Sequence, residues 1–345
     1  MSQQADEKFM RAAIAEARKG VGHVSPNPTV GAVLVQGDRV IATGFHRARG
    51  LPHAEVECLR AAPGSSLRSA TLYVTLEPCS TTGLTPPCTE AIVSAGIGRV
   101  VIGTIDPNPR HRGRGIRQLT RAGVEVMAGV LPDECARLNE AFNKWIVSRY
   151  PFVIAKCGMS LDGRLTRPPG EGRWLTSAEA RRHAMRLRAQ VDAILVGAET
   201  LRHDNPRLTI RGLPGAPQPW RVILTRSGKL PPDSHCLTDR LAERTLVYRR
   251  QSLRRVLADL ARREITSVLI EGGGEVLGQA FDAHLVDKVQ FYLAPLLTGG
   301  PVRAVAGRGA NSTATAAHLR QIAFEKIGRD LLVTGYPEWA EAAAE

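Results

Sequence analysis

The sequence predicts an α/β protein made of two domains. Its 345 residues exceed the length of one average domain. Apolar segments of helix length and of strand length alternate through both halves of the chain. The pattern then restarts near residue 150, where a new apolar strand over 151–155 follows a helical segment. We therefore place the division between residues 148 and 149, which gives domains 1–148 and 149–345.

The first half begins with a helix over 6–19, whose apolar residues Phe9, Ala13 and Ala17 recur with helical period. Strands over 29–35 and 40–44 follow, joined by a turn at Gly37 and Asp38. The remaining expected elements are a helix from His53 with Val56 and Leu59 on its inner face, a strand over 71–76, a helix over 88–95, strands over 100–104 and 124–127 with a short helix between them, and a helix over 132–147.

The second half repeats this alternation without an internal repeat of the first. After the strand at 151–155, the expected elements are helix 178–190, strands 193–196 and 221–224, helix 252–263, strand 267–270, helix 275–283 and strand 288–293. Ser177 precedes the first of these helices and is expected to cap it.

Four residues in the first half predict a catalytic zinc site. His53, Cys79 and Cys88 offer an imidazole and two thiolates, which leaves one tetrahedral position open for water. Glu55 lies too close to His53 to be a comfortable fourth ligand, but it is well placed to move protons. This order of residues is the His-x-Glu…Pro-Cys…Cys arrangement of zinc deaminases, with eight residues between the cysteines instead of two. Each motif lies where a strand leads into a helix.

The alternative explanation is that these residues have only structural roles, since a buried cysteine usually behaves as a small apolar residue. Disulfide bonds are a second possibility for six cysteines. The chain opens Met1-Ser2-Gln3-Gln4 without an apolar segment, so we expect no secretory signal and a cytoplasmic location. In that reducing compartment, paired cysteines indicate metal binding or catalysis. We expect structural roles for the other four cysteines, Cys58, Cys135, Cys157 and Cys236.

The net charge of +13 narrows the class of partner. Such basicity can indicate nucleic acid, but the arginines are scattered and the sixteen Trp, Tyr and Phe residues offer few stacking surfaces. We expect no nucleic-acid partner, because the charge suits anionic small molecules equally well. No apolar segment approaches the length of a membrane span, so no membrane association is expected.

A glycine turn in the second half is a weaker signal. The predicted strand 267–270 leads through Glu271 to Gly272, Gly273 and Gly274 and into a helix. Such a turn can hold a phosphate at a helix N-terminus, although the spacing is not the dinucleotide fingerprint and a plain strand–helix turn remains the alternative. Polar clusters at 156–163, 174–177 and 204–209 could likewise be only caps and turns.

Taken in order, these motifs resemble the bifunctional riboflavin-biosynthesis deaminase–reductases (RibD family) over nearly the whole chain. The eight-residue spacing between the cysteines is what this family shows. The matching segments in the first half are 25–31, 52–56, 77–79, 85–88 and 106–109. Those in the second half are Lys156 with 160–163, Trp174 with 176–177, 186–189, Asp204 with Pro206, and 271–273.

The resemblance implies a cytidine-deaminase-like α/β/α domain followed by a dihydrofolate-reductase-like α/β domain. The first would hydrolyse the 2-amino group of a diaminopyrimidinone ribosyl phosphate, and the second would use NADPH to reduce the ribosyl unit to ribityl. One Zn²⁺ per chain and NADPH are the implied cofactors. The partner is then a phosphorylated pyrimidine, and we also expect a homo-oligomer, although the sequence leaves its size open.

The resemblance also carries roles to individual positions. It implies that His53, Cys79 and Cys88 hold zinc and that Glu55 is the proton shuttle. The implied NADPH site comprises Gly158, Trp174, Thr200, Asp204, Gly273, Gly274, Glu275, Val276, Leu277, Gly278 and Gln279. The implied substrate contacts are Gly172, Arg188, Leu208, Arg211 and Glu271. Arg226, just past the strand 221–224, is our candidate for the 2′-phosphate of NADPH, with a solvated surface residue as the alternative.

Several positions depart from the family pattern. Thr81 and Leu84 stand where a histidine and a basic residue are usual, and His111 replaces a small apolar residue. Gly172 replaces a serine, and Thr225 stands where an aspartate is common. A paralogue with an altered substrate, or with one active half, therefore stays open. The intact motifs of both halves disfavour two further hypotheses, a nucleic-acid deaminase with an unrelated second domain and a non-catalytic binding protein.

Overall fold

The computed structural model describes residues 2–64, 66–168, 170–172 and 174–339. It divides the chain into two units, Met1–Arg149 and Tyr150–Glu345. Each unit has its own β-sheet and its own buried apolar core.

The first unit is built on a five-stranded sheet. Its strands are β1 (Gly31–Gln36), β2 (Arg39–Phe45), β3 (Ala70–Leu76), β4 (Arg99–Thr104) and β5 (Glu125–Ala128). They lie in the order β2-β1-β3-β4-β5, with β1 antiparallel to both neighbours and β3, β4 and β5 parallel. The helices are α1 (Gln3–Ala17), α2 (Ala54–Arg60), α3 (Cys88–Ser94), α4 (Arg114–Arg121), α5 (Pro132–Arg137) and α6 (Glu140–Ser148).

Alternating strand residues divide the core of this unit into two layers. Val33 and Val35 of β1 pack with α1 and α5, whereas Ala32 and Leu34 pack with α2, α3 and α4 on the opposite face. This period of two is what a strand buried on both faces requires. The result is the expected α/β/α arrangement.

The second unit is built on an eight-stranded mixed sheet. Its strands are β6 (Phe152–Ser160), β7 (Ala193–Gly197), β8 (Trp220–Thr225), β9 (Thr245–Arg249), β10 (Ser267–Ile270), β11 (Lys288–Ala294), β12 (His318–Ile327) and β13 (Asp330–Glu338). The order is β12-β13-β11-β6-β10-β7-β8-β9, parallel from β11 to β9, with β13 antiparallel to both its neighbours. The helices are α7 (Ala178–Arg188), α8 (Ala198–Asp204), α9 (His235–Thr238), α10 (Leu253–Arg262) and α11 (Gly274–Asp282). The α/β class is confirmed in both units.

The single helix expected over 132–147 is wrong, because α5 and α6 are separated at Leu138 and Asn139. Asn139 is buried, and its side chain bonds both backbone groups of Thr29: its Oδ1 accepts from Thr29 N over 2.6 Å and its Nδ2 donates to Thr29 O over 2.9 Å. A helical period cannot indicate such a tertiary contact.

The inner face expected for α2 is only partly correct. Leu59 is half-buried and packs against the core, as expected, but Val56 does not, and the buried residues of the helix are Ala54, Glu55 and Cys58. The cause is Gly44 of β2, where an added Cβ would lie 2.4 Å from Cys58 N. The backbones of α2 and β2 therefore touch along the side of the helix that carries Ala54 and Cys58.

The sequence pattern missed five elements of the second unit: α8, α9, β9, β12 and β13. β12 is exposed along most of its length and, among the described residues, pairs only with β13 at the edge of the sheet. An edge strand with little burial carries no apolar alternation for a periodicity argument to detect. Ser177 does cap α7, and its side chain accepts from Ala180 N over 3.2 Å.

Candidate active sites

Three ligand groups converge where strands of the first unit lead into helices. His53 is the N-cap of α2, Cys88 is the first residue of α3, and Cys79 follows the carboxyl end of β3. His53 Nδ1 lies 3.5 Å from Cys79 Sγ and 3.3 Å from Cys88 Sγ, and all three atoms lie within 4.8 Å of one another.

This donor set fits a zinc ion. One imidazole nitrogen and two thiol sulfurs around a common point are the ligands of a catalytic zinc site, which keeps its fourth position open. The other ring nitrogen of His53, Nε2, lies 3.4 Å from Thr85 Oγ1, which orients the ring. Hydrogen bonding with the Cys88 thiol lowers the pKa of the Cys79 thiol and so favours the thiolate that a metal requires.

Glu55 lies beside the ligands, in the first turn of α2, and is 3% exposed. Burial, followed by the nearby charge of Cys79, raises the pKa of its carboxyl group to about 7. A carboxyl group with that pKa exchanges a proton readily near neutral pH, which is what a general acid–base requires. Its position and environment therefore suit proton transfer.

His53, Cys79 and Cys88 are hereafter the zinc-ligand cluster, and His53 and Cys79 line a cavity of about 270 Å³ that we call the deaminase cavity. Asn27 Nδ2 and His46 Nε2 lie 3.1 Å apart on its wall, and His46 Nδ1 lies 3.1 Å from the carbonyl oxygen of Pro52. Asp106 and Asn108 add further polar groups to the lining. A concave pocket with a few convergent polar groups is typical of a small-molecule site.

Glu77 is a residue of this site whose role the sequence did not reveal. Its buried carboxylate accepts four backbone hydrogen bonds, from Asp106 N, Gly113 N, Gly115 N and Ile116 N, over 2.9–3.3 Å. Glu77 thereby ties the loop after β4, and the start of α4, to the segment that carries Cys79. Its place in the motif Glu77-Pro78-Cys79 was the available signal.

Two departures from the family pattern are neighbours in space. Thr81 Oγ1 lies 3.4 Å from His111 Nδ1, and both residues line the deaminase cavity. Leu84 also lines this cavity and is 73% exposed. Position 81 therefore lacks the histidine that is usual in the family, but His111, from the loop before α4, lines the same wall of the cavity.

The second unit has a cavity of about 580 Å³, hereafter the reductase cavity. The structure brings eight residues with expected roles to its wall: Gly158, Gly172, Trp174, Thr200, Asp204, Glu271, Gly273 and Leu277. Lys156 and the buried Tyr292 also face this cavity, and His183 Nδ1 lies 2.7 Å from Tyr292 Oη.

A neighbouring cavity of about 310 Å³ is lined by three arginines, and we call it the arginine pocket of the second unit. Arg188, Arg207, Arg211 and His235 line it together with Leu208, while Trp174 lines both this pocket and the reductase cavity. Three of the expected substrate contacts, Arg188, Leu208 and Arg211, are thus brought together.

Arg188 and Glu271 form a bidentate ion pair at the edge of these two cavities. Arg188 Nε donates to Glu271 Oε1 over 2.8 Å, Arg188 Nη2 donates to Glu271 Oε2, and Arg188 Nη1 donates to the carbonyl of Thr209 over 3.0 Å. Burial alone would raise the pKa of Glu271, but the charges of Arg188 and Lys156 lower it to about 2.

The glycines at the start of α11 have different roles. An added Cβ at Gly274 would lie 2.0 Å from Arg303 O, and one at Gly278 would lie 2.2 Å from Gly307 N. Both glycines are therefore required where α11 packs against the segment 303–307. Gly273 differs, because it lines the reductase cavity and has a φ of 64°, which favours glycine.

The remaining expected cofactor residues lie elsewhere on the surface or in the core. Glu275 and Gln279 of α11 are exposed, and Val276 is buried. Arg226 is exposed just past β8 and its carbonyl accepts from Arg250 Nε over 3.3 Å, but it does not line the reductase cavity. The roles expected for these residues stay predictions.

Among the described helices, none has the length and apolar character needed to cross a bilayer. The four cysteines outside the zinc-ligand cluster, Cys58, Cys135, Cys157 and Cys236, are buried free thiols whose pKa values are raised by burial. Their burial agrees with the structural roles expected for them.

Comparison with known proteins agrees with both sites. The family model of the cytidine and deoxycytidylate deaminase zinc-binding region matches residues 3–104, and that of the RibD C-terminal domain matches residues 151–333. The riboflavin biosynthesis protein RibD of Synechocystis sp. is 39% identical over 96% of both chains.

Two solved structures extend the match to the whole fold. RibD of Acinetobacter baumannii superposes with a TM-score of 0.89 at 34% identity, covering 98% of this chain and 100% of that chain. A diaminohydroxyphosphoribosylaminopyrimidine deaminase/5-amino-6-(5-phosphoribosylamino)uracil reductase of Thermotoga maritima superposes with a TM-score of 0.88 at 36% identity, covering 97% and 99%.

The fold and the two sites thus define a zinc-dependent deaminase joined to a nicotinamide-dependent reductase. The chain belongs to the RibD family of riboflavin biosynthesis. It is an enzyme with a deaminase unit and a reductase unit, acting on small molecules, with zinc and NADPH as its cofactors.

Proposed function

We propose that the first unit hydrolyses the 2-amino group of 2,5-diamino-6-(5-phosphoribosylamino)pyrimidin-4(3H)-one. The second unit then reduces the ribosyl side chain with NADPH to give 5-amino-6-(5-phosphoribitylamino)uracil. The observation that carries this proposal is the convergence of His53 Nδ1, Cys79 Sγ and Cys88 Sγ within 4.8 Å, with buried Glu55 beside them.

In the deaminase unit, His53, Cys79 and Cys88 would hold the metal. A zinc ion held by these residues would supply an activated water molecule for addition to the amidine carbon of the pyrimidinone. Glu55 takes a proton on its carboxylate from that water and delivers a proton to the departing amine, so that water is consumed and ammonia released. Burial raises the pKa of this carboxyl group above its ordinary value, which suits a group that must take up a proton and give it back.

The lining of the deaminase cavity would orient the ring. The Asn27 amide is held by His46, so it presents a fixed pattern of donor and acceptor groups to a heterocycle edge. Asp106 and Asn108 lie on the same wall and offer further polar groups. These residues belong to the substrate site in this proposal.

In the reductase unit, Gly158, Trp174, Thr200, Asp204 and Gly273 would bind the cofactor, as would the run from Gly274 to Gln279. NADPH bound there supplies the hydride for the opened sugar. The support is that the five residues named first share one cavity of about 580 Å³ with Glu271 and Gly172. Arg226 remains our candidate for the 2′-phosphate.

The arginine pocket of the second unit would take the ribose 5-phosphate. Arg211 and Arg188 are its expected contacts, with Leu208 beside them, and guanidinium groups match phosphate geometry well. Glu271 holds Arg188 in a fixed orientation through the bidentate pair. Gly172 and Glu271 would contact the sugar from the reductase cavity.

The test is to offer the purified, zinc-loaded chain the diaminopyrimidinone ribosyl phosphate, with and without NADPH, and to identify the products by mass. We expect loss of one amino group without NADPH, and a further gain of two hydrogens with it. Release of no ammonia would contradict the deaminase assignment. Deamination without reduction would leave one active half, the alternative that the departures at Thr81, Leu84 and Gly172 keep open.

We also expect a cytoplasmic homo-oligomer. The support for the location is that the relatives are bacterial biosynthetic enzymes. Light scattering on the purified chain would measure the number of subunits, and a monomer at micromolar concentration would contradict the expectation.

A further inference from the structure

A cavity of about 330 Å³ in the first unit lies outside the zinc site and has no role so far. All six lining residues are polar, and three of them are arginines: Ser80, Thr81, Arg114, Arg117, Gln118 and Arg121. We call it the α4 arginine cavity. Because Thr81 lines both this cavity and the deaminase cavity, the two share one wall at the loop between the zinc-binding cysteines.

The three arginines share one face of α4. Positions 114, 117 and 121 are spaced i, i+3 and i+7, so their side chains stand above one another on the helix. All three are exposed, and in the described part of the chain none of them forms an ion pair. Like charges at this spacing destabilise a helix, and a cation in the first turn opposes the helix dipole. An anion bound between the arginines would offset both effects.

This helix is held in a fixed position relative to the metal ligands. The carboxylate of Glu77 accepts from Gly113 N and Gly115 N over 2.9 Å each, two residues before Cys79 in the chain. Thr89, next to Cys88, donates from Oγ1 to Gln118 Oε1 over 3.1 Å. The helix that carries the arginines is therefore bonded to both segments that carry the cysteine ligands.

Gly115 gives a second indication of close positioning. A Cβ at this residue would lie 2.1 Å from the carbonyl oxygen of Pro78, so the start of α4 touches the backbone next to Cys79. The arginine side chains of this helix line a cavity that shares Thr81 with the deaminase cavity. They are in place to meet a charged group that extends from a bound pyrimidine.

We propose that the α4 arginine cavity binds the 5-phosphate of the deaminase substrate, with Arg117 and Arg121 as its main contacts and Thr81 at the junction with the ring site. This inference rests on the proposed deamination. It also accounts for Leu84, which offers no charge to a phosphate although it lines the deaminase cavity. The negative charge of the phosphate would then be neutralised by the arginines of α4 and not by the loop between Cys79 and Cys88.

The test compares two substrates of the zinc-loaded full chain in the absence of NADPH, so that only deamination is measured. One is the diaminopyrimidinone ribosyl phosphate, and the other is the same compound without its phosphate. The variant carries Arg117→Ala and Arg121→Ala. The matched control carries Arg39→Ala and Arg137→Ala, which removes the same charge from positions of this unit that line none of the cavities described.

For the phosphorylated substrate, we expect kcat/KM of the variant to fall about ten- to a hundredfold, mainly through a higher KM. The rate with the dephosphorylated compound should stay within about twofold of the native value, since its phosphate contacts are already absent. Ribose 5-phosphate should inhibit deamination by the native chain and inhibit the variant much less. The control should behave like the native chain in all three measurements.

An equal loss with both substrates would overturn the proposal, because the arginines would then support the fold and not the phosphate. No loss with either would overturn it as well, as would the same loss in the control. If the native chain deaminates only the dephosphorylated compound, the arginine cavity is not a substrate site. If it deaminates neither, the proposed function itself fails, and the inference fails with it.

Discussion

Arg188 and Glu271 bind each other through two parallel hydrogen bonds, with the Arg188 side chain 12% exposed and that of Glu271 5% exposed. Arg188 ends α7 and Glu271 follows β10, so the pair joins two elements that are 83 residues apart in the chain. The sequence analysis predicts that each residue contacts the substrate. In the structure, the two residues also form an ion pair with each other.

Removing one partner of this pair should destabilise the fold. In Arg188→Ala, the carboxylate of Glu271 stays buried without its hydrogen-bonded counter-charge, and we expect a loss of about 3–5 kcal/mol in the free energy of unfolding. The matched control is Arg182→Ala in the same helix, whose partner Glu179 is exposed, with an expected loss below about 1 kcal/mol. Urea unfolding followed by circular dichroism measures both. Similar losses in the two variants would contradict the prediction.

The same pair predicts a dependence of stability on pH. The folded pKa of Glu271 is about 2, below its ordinary value of 4.5, so the unfolded chain binds more protons there between these values. The stability that the charged group contributes is therefore complete above about pH 4.5 and is lost as the pH falls towards 2. The difference in unfolding free energy between the native chain and Glu271→Gln should shrink across that interval. A difference that stays constant would exclude this linkage.

Glu55→Gln should retain about one zinc per chain and lose deamination by a factor of about 10²–10⁴, since it removes the proton shuttle and no ligand. Cys79→Ala should lose the metal itself. Glu57→Gln is the control, because Glu57 lies on the same helix but pairs with Arg47 at the surface. Metal analysis and ammonia release provide the two readouts. Metal loss in Glu55→Gln, or nearly normal turnover, would show that Glu55 is not the shuttle.

Gly115→Ala should disturb the zinc site from outside it. The new methyl group would meet Pro78 O at 2.1 Å, next to Cys79, and overpacking of this kind costs about 1–3 kcal/mol. Gly64→Ala is the control, because nothing lies within 4 Å of a Cβ there. We expect weaker zinc retention against a chelator in Gly115→Ala only. Equal retention in both variants would mean that this contact does not position Cys79.

A fragment from Tyr150 onward should fold alone and oxidise NADPH when given the deaminated substrate. The reason is that Tyr150–Glu345 forms its own unit with its own apolar core and contains the whole reductase cavity. Circular dichroism tests folding, and loss of absorbance at the NADPH band tests activity. A folded fragment without NADPH oxidation would show that the boundary or the reductase assignment is wrong.

The sequence alone determined the α/β class and the chemistry of the zinc site. Strand and helix periods reflect which side chains are buried within one element, and the spacing of His53, Cys79 and Cys88 reflects the ligand demands of one metal. These signals are local, because they depend on residues within one element or one motif and not on which segments pack against it.

Tertiary structure alone decided the contacts between distant segments. Only the fold shows that Asn139 interrupts a helix to bind Thr29, that Arg188 pairs with Glu271, and that Gly274 serves the packing of α11. The fold also brings His111 close to Thr81, and it places the arginines of α4 beside the loop between Cys79 and Cys88. These relations depend on close approach between segments that are far apart in the chain, and neither propensity nor periodicity within one element encodes that approach.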